Sequence, residues 1–120
     1  MPNIWNRNKY ANKYHSEKVE FRGEKFDSKA EFEYFLILSD MERKGEIRDL
    51  RRQVVFELQP SFKDSKGKTI RAIKYIADFV YYDREGKRHI VDVKGVHTKE
   101  YQIKAKIMAY QGNEIEEVRV

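Results

Sequence analysis

Asp78 and Asp92 are the residues of this 120-residue sequence best placed to do chemistry together. Asp78 lies in the run Tyr75-Ile76-Ala77-Asp78-Phe79, and fourteen positions after it comes Asp92-Val93-Lys94-Gly95. Between them, Asp83-Arg84-Glu85-Gly86-Lys87 reads as a three-residue hairpin loop, a type I turn closed by a bulge at Gly86. Asp83 then faces Lys87, and counting back along both strands sets Asp78 opposite Asp92. Side chains alternate along a strand, so Lys94 shares the face of Asp92, about 7 Å away. Ile76 and Val80 flank Asp78 on that face, and Ile90 flanks Asp92. Two carboxylates opposed among apolar neighbours repel, and burial adds to the cost. A cation between them removes the conflict, and an oxygen donor set suits Mg2+, Mn2+ or Ca2+. An Asp beside a Lys on a strand is also how a surface ion pair looks. A slip of one residue in register would separate the two carboxylates.

The surrounding pattern supplies elements to hold these residues. Ser28-Lys29-Ala30-Glu31 is a capping-box pattern opening a helix over 28–44, and Gly45 stops it. At 100° per residue Phe32, Phe35 and Leu36 form an apolar arc, with Tyr34, Leu38 and Met41 beside it. Glu31 falls inside this apolar sector. Glu33 falls on the polar side with Asp40 and Lys44, and is the fallback acid. A strand over 50–58 ends at Gln59-Pro60. The polar turn 63–68 leads to a long strand over 71–82, and Arg88 to Lys94 forms the next. Thr98 to Gln111 is a second helix, and 115–120 a last strand. Val19-Glu20-Phe21 and Lys25-Phe26-Asp27 flank Arg22-Gly23-Glu24 as a small hairpin. The order helix, three strands, helix, strand predicts an α/β or α+β fold on a mixed sheet. Residues 1–17 show no period and read as a basic N-terminal arm, leaving 18–120 as one domain.

Composition narrows the partners. There are 25 Lys and Arg against 20 Asp and Glu, a net charge of +5. That suits an anionic partner such as nucleic acid, whose phosphates supply most sequence-independent affinity. Arg7, Lys9 and Lys13 in the arm, interleaved with Trp5, Tyr10 and Tyr14, are candidates to grip phosphates and stack on bases. The absence of cysteine excludes disulfides, thiolate zinc sites and a Cys nucleophile. His15, His89 and His97 have no zinc-site spacing. No apolar run is long enough to span a membrane. The expectation is a soluble intracellular protein with no membrane partner.

At these residues the chain resembles the PD-(D/E)XK nucleases, whose signature is an Asp on one strand, (D/E)-x-K on its hairpin partner and an acid on the preceding helix. The runs Phe26-Asp27-Ser28-Lys29-Ala30-Glu31, Gly45-Glu46-Ile47, Phe56-Glu57-Leu58-Gln59-Pro60 and Asp92-Val93-Lys94-Gly95 resemble, more closely, a small phage and prophage family described as Holliday-junction-resolvase-like endonucleases. The resemblance covers residues 18–120. Ala77 stands where the signature names Pro. The resemblance implies a restriction-endonuclease-like core and a cytoplasmic setting in a bacterial host. It implies that Asp78 and Asp92 ligate Mg2+ (Mn2+ substituting) with the Val93 carbonyl. Lys94 would orient or deprotonate the attacking water, and Glu31 would reach the same metal through water, or a second metal. By its place in the family-like helix Lys104 would contact a phosphate near the site; Lys99 on the same helix is a further candidate for DNA, and Gln59, which ends a strand beside the proposed site, is a candidate to contact metal-bound water or phosphate.

The activity so implied is metal-assisted hydrolysis of DNA phosphodiesters, with branched DNA as substrate and a homodimer making paired nicks. Two other readings fit the same composition. One is a non-enzymatic DNA-binding accessory protein of a phage. The other is a nuclease of the same fold acting on linear duplex or RNA.

Overall fold

A computed structural model describes residues 18–94 and 96–119. It opens on a two-stranded ribbon, β1 (Val19–Phe21) and β2 (Glu24–Phe26). The turn between them is Arg22-Gly23 alone, both at positive φ (52° and 83°), so Glu24 belongs to the strand rather than to the turn. Helix α1 (Lys29–Arg43) follows. Then come β3 (Ile47–Gln59), the short β4 (Phe62–Lys63) and β5 (Thr69–Ile70), β6 (Ile73–Asp83) and β7 (Arg88–Lys94). Helix α2 (Lys99–Tyr110) and β8 (Ile115–Arg119) complete the chain. The fold is mixed α and β. The main sheet has the order β3-β6-β7-β8, antiparallel except for β8, which runs parallel to β7. A parallel neighbour needs a crossover, and α2 is that crossover.

Both ends of α1 follow from local chemistry. The Ser28 hydroxyl accepts the Glu31 N–H at 3.0 Å. At the other end Gly45 takes φ 78°, its N–H reaches the Glu42 carbonyl, and the Glu46 N–H reaches that of Met41. This left-handed stop is one only glycine adopts cheaply. Ser28→Ala removes the cap and should cost about 1 kcal/mol, measured by urea unfolding.

The helices cover opposite faces. Leu38, Ile47, Phe79, Tyr81 and Val91 are buried together, packed by Tyr34, Phe35 and Met41 of α1. Tyr75, Ala77, Val80 and Ile90 are buried with Tyr101 and Met108 of α2. Along β6 the alternation breaks at Asp78: Tyr75 and Ala77 face α2, whereas Phe79 and Tyr81 face α1. Strand β3 breaks at the matching place, Leu50 packing toward α1 and Val54 and Phe56 toward α2. The ladder pairs Arg52 with Phe79 and Val54 with Ala77, but not Gln53 with Asp78, and Gln53 has φ 53°. Ile76 therefore does not share the environment of Val80, as strict alternation predicts; it is exposed while Val80 is buried. Among the described residues, no helix is long and apolar enough to cross a membrane.

The end of the sheet away from Asp78 carries a titrating cluster. His89 meets Asp83 at 2.8 Å through Nε2 and Glu116 at 2.6 Å through Nδ1, and stacks on Tyr81. Burial pulls the imidazole pKa down, but the hydrogen bonds to Asp83 and Glu116 outweigh it and hold it above the ordinary 6.5. The His89 hydrogen bond in turn holds Asp83 below 3.8. A raised His stabilises the fold fully below pH 6.5, and the contribution is lost as pH climbs through the folded pKa. The lowered Asp83 contributes above pH 3.8, and its share is lost on further acidification. The stability difference between the native chain and His89→Gln, measured by urea midpoints, should therefore be largest in mild acid and shrink as pH rises above neutrality.

Candidate active site

The hairpin register is the one its turn demands. Phe79 faces Val91, Val80 faces Ile90 and Tyr81 faces His89. Continued by one step, it sets Asp78 opposite Asp92. The ladder stops short of that step, and the Val93 N–H instead donates to Asp78 Oδ2 at 2.8 Å. Burial drives the Asp78 carboxyl well above its ordinary range, and the Asp92 charge adds to this. The Val93 N–H opposes the shift and Glu31 reinforces it. Asp92 itself is 4% exposed.

Among the described residues, one cation stands against this pair. Lys94 Nζ lies 3.4 Å from Asp92 Oδ1 and 4.0 Å from the centre of the Tyr101 ring. The Tyr75 hydroxyl donates to Asp92 Oδ2. Burial first, and then this hydrogen bond, raise the Tyr75 pKa and keep the phenol protonated. The Tyr101 hydroxyl donates to Glu117 at 2.7 Å, which fixes the ring beneath Lys94. These groups line an open cavity of about 300 Å³, with Lys74, Ile76 and the first turn of α2 at its rim. Lys104 is on that rim, paired with Glu100 at 3.0 Å.

Glu31 enters from α1 and is 3% exposed. Its Oε2 accepts from Gln53 Nε2 at 3.0 Å and lies 3.4 Å from Arg52. The helix cap uses the Glu31 N–H, so capping and an inward carboxylate are compatible. Burial raises the Glu31 pKa, the Asp27 charge adds to it, and the Arg52 guanidinium opposes both. Arg52 is held in turn by Glu24 and the Lys25 carbonyl, each at 2.8 Å, and lies 3.7 Å over the Phe26 ring. Glu33, the fallback acid, is exposed.

The structure thus gathers Asp78, Asp92, Lys94 and Lys104 around one cavity, with Glu31 adjoining Asp78. It does not bring Gln59 there. Gln59 pairs with Ile73, roughly 16 Å along the strand from Asp78. The amide that meets Glu31 is Gln53, between the rungs that pair Arg52 with Phe79 and Val54 with Ala77. Lys99 is exposed on α2 and does not line the cavity. His97 packs at a tilt against Tyr101 and lies 3.0 Å from Glu117 without making a hydrogen bond. Arg7, Lys9, Lys13 and Gly95 lie outside the described residues. Sequence reasoning missed Tyr75, Arg52 and Gln53. The first reads as an ordinary core aromatic; the other two declare themselves only through Glu31, more than twenty residues away.

The donor set tests the expected metal. Asp78 and Asp92 offer two hard carboxylate oxygen sources lining one open cavity, which fits a divalent cation. Among the described residues no three His, Cys, Asp or Glu side chains form a metal-ligating group. Glu31 is instead engaged by Gln53 and Arg52.

The chain belongs to the family described as "Protein of unknown function (DUF1064)", whose model matches residues 11–120. No curated protein and no solved structure matches it.

Proposed function

We propose that this chain is a Mg2+- or Mn2+-dependent endodeoxyribonuclease of the PD-(D/E)XK type, acting on branched DNA such as a four-way junction. The observation that carries the reading is the Asp78–Asp92 pair, Asp92 buried and Asp78 half-buried, with Lys94 the one cation within 4 Å of it among the described residues. Two carboxylates so close, with one cation within 4 Å, are costly to the fold and are explained by a cation they receive. Asp78 and Asp92 would hold that ion, with the Val93 carbonyl beside them and Glu31 approaching through water. The chemistry such an ion supplies is charge neutralisation at the scissile phosphate and acidification of water. Lys94 is set to orient the attacking water and balance phosphate charge. Tyr75 fixes the Asp92 rotamer and Tyr101 holds the Lys94 ammonium. Lys104 is near enough to meet a neighbouring phosphate by exchanging Glu100 for it. A homodimer would pair the nicks on a symmetric junction.

A labelled four-way junction and a linear duplex of the same sequence test this, with Mg2+, with EDTA and with Asp92→Ala. Paired nicks in the junction, lost with EDTA and in the variant, are the expected result. Equal cutting of both substrates keeps the nuclease and removes the junction preference. A second reading, a non-catalytic DNA-binding protein, is favoured by one observation: Glu31 is already engaged by Arg52 and Gln53. Tight binding without cutting in either Mg2+ or Mn2+ would select it.

A further inference from the structure

Strands β3 and β6 do not end with the sheet. Gln59 pairs with Ile73, Phe62 with Ile70 and Lys63 with Thr69, so one register runs through both ladders. The interruption between them falls at Pro60, which has no N–H to donate. Strand β7 pairs with β6 only from Phe79 to Tyr82. Beyond Ala77 the β3–β6 hairpin therefore runs on as a two-stranded arm, to a turn at Asp64-Ser65-Lys66-Gly67-Lys68. The tip of the arm lies roughly 30 Å from Asp78 at the strand rise per residue.

The charge of the chain is concentrated there. Residues 59–74 hold Lys63, Lys66, Lys68, Arg71 and Lys74 against the single acid Asp64, a net +4 of the whole chain's +5. All five cations are exposed, and none has a carboxylate within 4 Å among the described residues. Asp64 is occupied by its own turn, its Oδ1 accepting the Lys66 and Lys68 N–H groups at 2.9 Å each.

The turn does not require these lysines. Asp83-Arg84-Glu85-Gly86-Lys87 builds the same loop, with the Asp83 carboxylate accepting two N–H groups at 2.9 Å and the Gly86 N–H returning to the Asp83 carbonyl. That loop is electrically neutral. One backbone thus occurs twice in the chain, and only the copy at the end of the arm is cationic. The row of charge also leads back to the site, because Lys74 and Lys104 line its cavity.

We infer that the arm from Gln59 to Lys74 is a duplex-gripping element. It lays Lys63, Lys66 and Lys68 against DNA phosphates about one helical turn from the Asp78–Asp92 cavity. Its reach is close to the ~34 Å of one turn of B-DNA, and a two-stranded ribbon is narrow enough to enter the major groove. The inference rests on the nuclease reading for what the arm serves, but binding is measurable apart from cutting.

The test is Lys63→Gln/Lys66→Gln/Lys68→Gln, which leaves Asp64 and Gly67 to form the turn; an unchanged melting temperature checks that the fold persists. Duplex affinity is measured by fluorescence anisotropy over a salt series, with the charge changes introduced into the Asp92→Asn chain so that no cutting intervenes. Loss of three phosphate contacts should weaken binding at least about 10-fold and reduce the salt slope by about 2–3. Unchanged affinity and slope would overturn the arm, whether or not the native chain cuts DNA. The expected loss in a chain whose native form binds DNA but never cuts it would keep the arm and overturn the nuclease.

Discussion

Asp78→Asn and Asp92→Asn should each abolish DNA hydrolysis, and Asp78→Asn should also make the metal-free protein more stable. Both amides preserve the local geometry. Through its side-chain oxygen, the amide introduced at position 78 would still accept the Val93 N–H, and the one at position 92 the Tyr75 hydroxyl. What Asp78→Asn removes is a carboxylate that burial and the Asp92 charge penalise. A gain of about 1 kcal/mol in urea unfolding without divalent ions is expected, the scale on which a buried charge without a full partner set penalises a fold. Hydrolysis in Mg2+ should fall at least about 10³-fold, as when a catalytic site loses an electrostatic group acting on the reacting phosphate. The opposite signs matter. Asp92→Asn also parts Lys94 from its carboxylate, so its stability does not discriminate; a destabilised, equally active Asp78→Asn variant would refute the site.

Arg52→Ala should give the largest stability loss of the substitutions considered, about 3 kcal/mol by urea unfolding. Arg52 is the cation that accompanies Glu31 into the interior, and it also ties β3 to β2 through Glu24, the Lys25 carbonyl and the Phe26 ring. Its loss leaves a 3%-exposed carboxylate with only the Gln53 amide. The cost lies mainly in that stranded charge, so Glu31→Gln should recover a large part of it in the Arg52→Ala background. A double-mutant cycle reads the coupling. Additive effects would show that Arg52 acts through Phe26 and β2 rather than through Glu31.

The extent to which these features were legible follows from their range. The Asp83–Lys87 turn is local and dictates its own register, so the opposition of Asp78 and Asp92 followed from counting. The inward aim of Glu31 followed from helical period, because Phe35 and Leu38 beside it had to be buried. The break in alternation did not follow. It depends on Gln53 taking a positive φ, which residues other than glycine adopt only when tertiary contacts hold them there. Strict alternation therefore misplaced Ile76, and Gln59 drew attention that belonged to Gln53. Strand β3 also begins at Ile47 rather than Leu50, with its ladder interrupted around Asp49 (φ 56°), a break no local sequence signal announces. The cationic arm was visible as charge but read as a turn. Only the shared register of Gln59–Ile73 and Phe62–Ile70 shows that it prolongs the sheet.

The most direct test of the central claim is calorimetric titration of Mn2+ into the native chain and into Asp92→Asn. The account predicts saturable binding to the native chain that the substitution removes. Equal heats in the two proteins, or none in either at millimolar Mn2+ with DNA present, would contradict it.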